Sequence, residues 1–319
     1  MKKVLYLKKM LPVLALIVSL LIGCGDNGAK TVQKAKESKT VGVVMKSSSS
    51  EYWMSVRSGM EAAATKYGMK LVIMSPNSEL EKEVQIKQVK KLIERSVDAL
   101  AISPIDSYDI PDYMDAIKKE KIPAVTFDTG FEGDNLSYIG IDNRKTGYLL
   151  ARELAKQMGH KGKVGIIAGD LKQSGHRNRV EGFKEYMENE PEITISFVES
   201  GYSNLLMSEK KVDELVQEYP DVNGIFATSA VTALGFADVK KANEIKIATV
   251  DEQKDSLEAL KKGKITVLAA QSGYTMGYET IRHIYKMIGK KNKTGDYFLE
   301  AEILIKDNLK EYLDGQKEK

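Results

Sequence analysis

Aromatic rings, carboxylates, guanidinium groups and an amide recur in this chain at one kind of place, just after short β-branched runs. Val41-Gly42-Val43-Val44 is followed by a stretch holding Lys46, Ser50, Tyr52 and Trp53. Asp128 follows Val125-Thr126-Phe127, and Arg177 follows Ile166-Ile167-Ala168 across a polar loop. Tyr202 comes after Ile193 to Val198, Ser229 after Phe226-Ala227, Asp251 after Thr249-Val250 and Gln271 after Leu268 to Ala270. A polyhydroxylated ring asks for that mixture, because its C–H faces lie against aromatic rings while its hydroxyls accept from arginine or amide and donate to carboxylates.

Groups that follow strands need strands that end together. The apolar runs 41–44, 71–74, 99–102, 124–127, 138–141, 164–168, 193–198, 225–228, 245–250 and 266–269 alternate with stretches whose apolar residues recur at helical spacing, such as Trp53, Val56, Met60, Ala64 and Tyr67. Helices are also expected over 80–93, 110–117, around Leu149 to Leu154, around Val180 to Met187, and over 206–219, 233–242 and 256–262. Continuously apolar strands separated by helices predict parallel sheets covered on both faces. The rhythm restarts after residue 143, so the expected fold is α/β with two doubly wound parallel-sheet lobes. Ligands of such sheets sit beyond the carboxyl ends of the strands, where the polar set falls.

Composition narrows the setting. Residues 1–23 carry Lys2, Lys3, Lys8 and Lys9 followed by an apolar run from Met10 to Ile22, the order of a signal peptide and too short for a committed membrane span. Removing those four lysines from 48 basic residues leaves 44 against 45 acidic ones, so the remainder is nearly neutral and nothing points to a nucleic-acid partner. Cys24 is the single cysteine, and Leu21-Ile22-Gly23-Cys24 resembles the lipobox of bacterial lipoproteins, which implies an acylated Cys24, a membrane tether and an extracytoplasmic location. Residues 24–39 read as a flexible lipid-anchored linker. His160, His176 and His283 are far apart and no second cysteine exists, so a metal site is not supported. No phosphate-binding glycine loop or Gly-x-Ser-x-Gly elbow appears. No catalytic residue and no cofactor is expected; two aspartates in a cleft suit a glycosidase as well, but their spacing gives no preference for it.

Seven segments, TVGVVMKSSSSEYWMSVRSGMEAAATKYG from Thr40, VDALAISPIDS, IPAVTFDT, HRNRVEGF, DVNGIFATSAVTALG, IATVDEQ and LAAQSGYTMG, together resemble the periplasmic sugar-binding proteins of the ribose, galactose and xylose type, the receptors of ABC importers. The resemblance runs from Thr40 to about residue 305. It implies the type I periplasmic-binding-protein fold, with a first lobe of 40–142 and 272–300, a second of 143–271 and 301–319, and a hinge of three crossings near 141–144, 270–273 and 299–302. It assigns Tyr52, Trp53 and Tyr202 to stacking and Asp128, Arg177, Asp251 and Gln271 to sugar hydroxyls. Ribose binders of this type carry Asn, Asp-Arg and Asn where this chain has Ser50, Asp128-Thr129 and Ser229. Trp53 with nearby Arg57 looks more like the xylose branch, so D-xylose is the first expectation and ribose or a hexose follows.

Ordinary alternatives stand beside these roles. Asp128 and Asp251 suit turns and caps, which aspartate often fills after strands. Trp53 suits core packing, Gln271 a bond to the hinge backbone, and Tyr202 an exposed loop. Arg177 suits an exposed helix start, a role assigned more readily to Arg179. Lys46 has no counterpart in the resemblance and is left to a carboxylate or the ligand. Replacing Asp128 or Asp251 by alanine is expected to weaken binding by about 1–3 kcal/mol each with little effect on the empty protein. The implied partners are a monosaccharide and an ABC permease, or alternatively the ectodomain of a sensor histidine kinase. A repressor of the lactose type is disfavoured, because an export signal stands where its DNA-binding helices would be.

Overall fold

The computed structural model describes residues 38–237, 245–290 and 295–317. The leader, Cys24 and the spacer to residue 37 lie outside the described residues, as does the predicted helical stretch 238–242.

Two six-stranded sheets form the frame. The first holds β1 (Thr40–Val44), β2 (Lys70–Met74), β3 (Ala99–Ile102), β4 (Ala124–Phe127), β5 (Ser137–Ile141) and β11 (Tyr297–Leu299), in the order β11-β5-β4-β3-β1-β2. The second holds β6 (Gly162–Ala168), β7 (Ile193–Ser200), β8 (Gly224–Ala227), β9 (Lys246–Val250), β10 (Val267–Ala270) and β12 (Glu302–Leu304), in the order β12-β10-β9-β8-β6-β7. The orders are the same when β1 is matched to β6, β4 to β9 and β5 to β10, so the halves repeat one design. All pairings are parallel except β10 with β12, which is antiparallel. β12 is reached directly from β11 of the other sheet through two residues, not from β10 through a helix that would return it to the same direction.

Strands buried on both faces account for the unbroken apolar runs. Val41 and Val43 of β1 face one core with the helix α1 (Glu51–Tyr67), while Val44 faces the other with Val89 and Leu92 of α2 (Lys82–Glu94). The second sheet repeats this, with Val164 and Ile166 on one side and Ile167 on the other. The chain passes from one sheet to the other between β5 and α4 (Asn143–Gln157), between β10 and α9 (Gly273–Lys290), and between β11 and β12.

The helix α9, the strands β11 and β12 and the C-terminal helix α10 (Leu309–Lys317) go beyond the elements expected from periodicity. The two strands exist through tertiary pairing, whereas α9 carries its own helical period in Met276, Ile281, Ile284 and Met287. Strands of three residues carry too little pattern to be read locally; α9 lies on α1 at backbone contact, through Gly59 and Gly277. In the second lobe α4 meets α5 (Ser174–Met187) equally closely: a Cβ on Gly147 would stand 2.0 Å from the Arg179 carbonyl oxygen, and one on Gly182 1.9 Å from that of Arg144. That contact fixes the height of α5, and α5 carries two of the cleft side chains.

Candidate functional site

Between the carboxyl ends of the two sheets lies a cleft with a cavity of about 120 Å³. From the first lobe Lys46, Ser50, Tyr52, Trp53, Glu79, Asp128 and Thr129 line it; from the second, His176, Arg179, Tyr202, Ser229, Asp251 and Gln253. The volume is well below the roughly 300–1,000 Å³ of drug-sized sites, so the occupant is small.

Asp128 and Asp251 end equivalent strands, β4 and β9, and both are left-handed, with φ of 61° and 81°. That region disfavours residues other than glycine, though aspartate tolerates it best. Each carboxylate is turned off its strand end into the cleft. Their surroundings differ sharply.

Asp128 is fully engaged by the protein. Lys46 Nζ pairs with Oδ2 at 2.9 Å, the Thr129 hydroxyl donates to Oδ2 at 3.1 Å, and the Tyr52 hydroxyl donates to Oδ1 at 2.9 Å. Burial works to raise its pKa, but the Lys46 ammonium, with help from Arg179, outweighs this and holds the carboxyl at about 2. Burial and the neighbouring carboxylates push the Tyr52 phenol well above its usual range, so it remains a donor. Lys46, left unassigned by the sequence, is thus the counter-ion of Asp128.

Asp251 receives the backbone N–H of Ala230, at the start of α7 (Ala230–Ala237), and among the described residues forms no ion pair. Burial drives its pKa up to about 6; Arg179 opposes the rise and Asp128 adds to it. Acceptor capacity facing the cavity is therefore concentrated on this carboxylate.

The two arginines of α5 exchange the roles expected of them. Arg177 is exposed and stands outside the cavity, with Nε and Nη2 on the Leu171 carbonyl at 3.1 Å each. Arg179 is 4% exposed and lines the cavity. Its Nε donates to Asn143 Oδ1 at 2.8 Å, Nη1 to the Thr228 carbonyl at 2.7 Å and Nη2 to Gln271 Oε1 at 3.2 Å. Helical period explains the exchange. The buried face of α5 runs through His176, Val180, Phe183 and Met187, and Arg179 is one turn before Phe183, whereas Arg177 points away. That period was available in the sequence.

Gln271, expected to meet the ligand, is buried behind the cavity lining and does not border the cavity. Its amide nitrogen donates to the Tyr52 hydroxyl, so it bridges Tyr52 in the first lobe to Arg179 in the second instead of bonding the hinge backbone. Trp53 is 3% exposed, packs edge-on to Phe127, donates through its indole N–H to Glu79 at 3.2 Å and carries Lys46 Nζ 5.6 Å from its ring centre. It both packs and walls the cleft. Ser50 caps α1, accepting from the Trp53 N–H at 3.3 Å, and Ser229 bonds the Thr232 hydroxyl at 3.0 Å; both also border the cavity. Tyr202 lies at the rim, 39% exposed, in a left-handed turn with Ser203. Arg57 pairs with Glu61 at 59% side-chain exposure and takes no part in the cavity lining.

His176, Glu79 and Gln253 line the cleft without having been singled out from the sequence. Burial and then the Arg179 and Lys46 charges press the pKa of His176 well below its usual value, so its ring is neutral between the Thr228 hydroxyl at 2.8 Å and the Ser203 hydroxyl at 3.2 Å. The helical spacing of His176 with Val180 was its only sequence signal. Nothing local marks Glu79, which reaches the cleft from the loop before α2.

Comparison with known proteins agrees with the fold. The chain is 27% identical over 245 residues to the ribose import binding protein RbsB of Bacillus subtilis, covering 76% of this chain and 79% of that one. It is 25% identical over 256 residues to a xylitol-binding protein of Mycolicibacterium smegmatis, covering 79% and 71%. Its fold superimposes on GanP, a glucose-galactose binding protein from Geobacillus stearothermophilus, with a TM-score of 0.78 and 26% identity over 86% of this chain and 99% of that one. A family model described as a periplasmic binding protein domain matches residues 41–292, and the chain belongs to that family, one of binding proteins rather than enzymes.

Proposed function

We propose that this chain is an extracytoplasmic receptor that holds one monosaccharide between its lobes and delivers it to an ABC sugar importer. The observation that carries the reading is Asp251, a buried carboxylate that faces a small cleft and forms no ion pair among the described residues. Hydroxyl donors of a neutral polyol satisfy it. Arg179 and the Tyr52 and Trp53 rings, which line the same cleft, supply the rest of what a sugar needs. The names of the ribose import and glucose-galactose binding relatives support sugar as the ligand and import as the purpose. Among sugars we favour a pentose over a hexose because the cavity is small, and D-xylose before D-ribose because Ser50, Thr129 and Ser229 lack the amides and arginine that the resemblance gives ribose sites while Trp53 resembles the xylose branch.

The lobes in this reading comprise 40–142 with 272–300 and 143–271 with 301–319, and they close on the ligand because its contacts exist only when both are together. Residues 1–23 act as a signal peptide and Cys24 carries the lipid. Fractionation of cells expressing Cys24→Ser should find the protein released from membranes; retention there would refute the tether. A sensor-kinase ectodomain reading the same closure is separated from import by sugar-dependent pull-down with each partner.

Calorimetric titration with pentoses, hexoses and polyols tests the ligand class, and no heat or thermal shift with any monosaccharide overturns it. Affinity should also depend on pH in one direction. Ligand hydroxyls donating to the ionised Asp251 lower its pKa from about 6, so binding is full above pH 6 and weakens as pH falls below it, by up to about tenfold per unit. Affinity that stays flat from pH 7.5 to 5 removes Asp251 from the contact.

A further inference from the structure

The lobes touch each other directly along a seam that runs outward from the edge of the ligand cavity. Ser107, in the loop after β3, is fully buried; its N–H donates to the Lys172 carbonyl of the second lobe at 2.9 Å, and its hydroxyl receives the Ser174 N–H at 2.9 Å and bonds the Ser174 hydroxyl at 3.2 Å. The Ser174 hydroxyl donates in turn to the Gly130 carbonyl at 3.1 Å. Gln173, also fully buried, accepts from Lys46 at 2.6 Å and donates to Glu79 at 2.9 Å. Outside this seam the Arg177 guanidinium lies 4.2 Å from the ring centre of Tyr108. Its Nε and Nη2 are held on the Leu171 carbonyl, which keeps the guanidinium plane in place for the ring.

We infer that Lys172, Ser174 and Arg177 of the second lobe and Ser107 and Tyr108 of the first form a clasp that holds the lobes together without ligand, so that the empty protein populates the closed form. Every bond in the clasp joins protein to protein across the two lobes or orders the strand of chain that does so, and Ser107, Tyr108, Ser174 and Arg177 do not line the cavity. A receptor whose binding-competent form is already populated binds with an apparent affinity set by that fraction. Clasp residues therefore tune affinity with no contact to the ligand, and Arg177 acts in binding from outside the site. The inference concerns closure itself and is independent of which solute fills the cleft.

The test is made on the full chain without ligand, by small-angle X-ray scattering and by the emission of Trp53, the single tryptophan, whose indole N–H rests on the Glu79 that Gln173 reaches from the other lobe. Arg177→Ala combined with Ser174→Ala should enlarge the radius of gyration and red-shift the emission relative to the unmodified chain. Exposed Arg177 can be replaced alone where the double variant fails to fold, and Tyr108→Ala should match it while Tyr108→Phe, which keeps the ring face, should behave as the unmodified chain. For a sugar found by titration, Arg177→Ala should weaken affinity by roughly three- to tenfold. Scattering and emission that are the same for the unmodified chain and every clasp variant overturn the inference, and because no ligand is present that result leaves the sugar reading untouched.

Discussion

Asp128→Ala is expected to cost the empty protein about 3–5 kcal/mol of folding stability, because it leaves the buried Lys46 ammonium without its counter-ion. The effect is one of orphaning a charge. The intact pair itself is worth much less, since taking both ions out of water offsets most of their attraction. Two comparisons separate these statements. Lys46→Met combined with Asp128→Ala should recover a large part of the loss, and Asp128→Asn should fall between. Thermal or urea denaturation followed by circular dichroism reads all three; a single alanine variant within about 0.5 kcal/mol of the parent, the range of ordinary surface changes, would show the pair to be incidental. The pH dependence has a definite sign. A carboxyl held at about 2 contributes stability that is present above its unfolded value near 4 and is lost as pH falls toward 2. This departs from the sequence expectation that both aspartates could be removed at little cost to the empty fold, and Lys46 is the reason.

Asp251→Ala should do the reverse. Affinity for the proposed sugar should drop by about 1–3 kcal/mol, roughly ten- to a hundredfold, since hydroxyls that donated to the carboxylate would be buried without an acceptor. The empty protein should be at least as stable as the parent at neutral pH. A carboxyl raised to about 6 is a cost to the folded state whenever it is ionised, on the order of 3 kcal/mol, and the cost fades as pH falls from about 6 toward 4. Asp251→Asn, which keeps an acceptor oxygen, should lose less affinity than alanine. Denaturation curves beside calorimetry decide the matter: if alanine at 251 destabilises the empty fold and leaves binding alone, the carboxylate is a structural cap on α7 and the ligand assignment loses its main support. Equivalent aspartates of the two lobes are thus predicted to divide the work, one holding the cleft together and one holding its occupant.

Much of the frame was legible in the chain. Unbroken apolar runs such as Val41 to Val44 and Val164 to Ala168 fixed parallel strands covered on both faces, and the restart after residue 143 fixed two lobes, because these depend on local burial pattern alone. The location of polar groups after strands was equally legible, since a parallel sheet exposes its carboxyl ends together. The exchange of Arg177 and Arg179 was readable too, from the period of Val180, Phe183 and Met187, but only if side-chain direction is weighed above motif position.

The sequence by itself determined the fold class, the strand ends that face the cleft, and the presence of Asp128 and Asp251 at two of them. Tertiary structure alone decided which aspartate is free. Lys46 and Asp128 are tens of residues apart in the chain, and they meet because β1 and β4 end together at one edge of the first sheet. A hydrogen-bonded ion pair needs its atoms within about 4 Å, so a distance that the chain order does not contain decides whether a carboxylate serves the fold or the ligand.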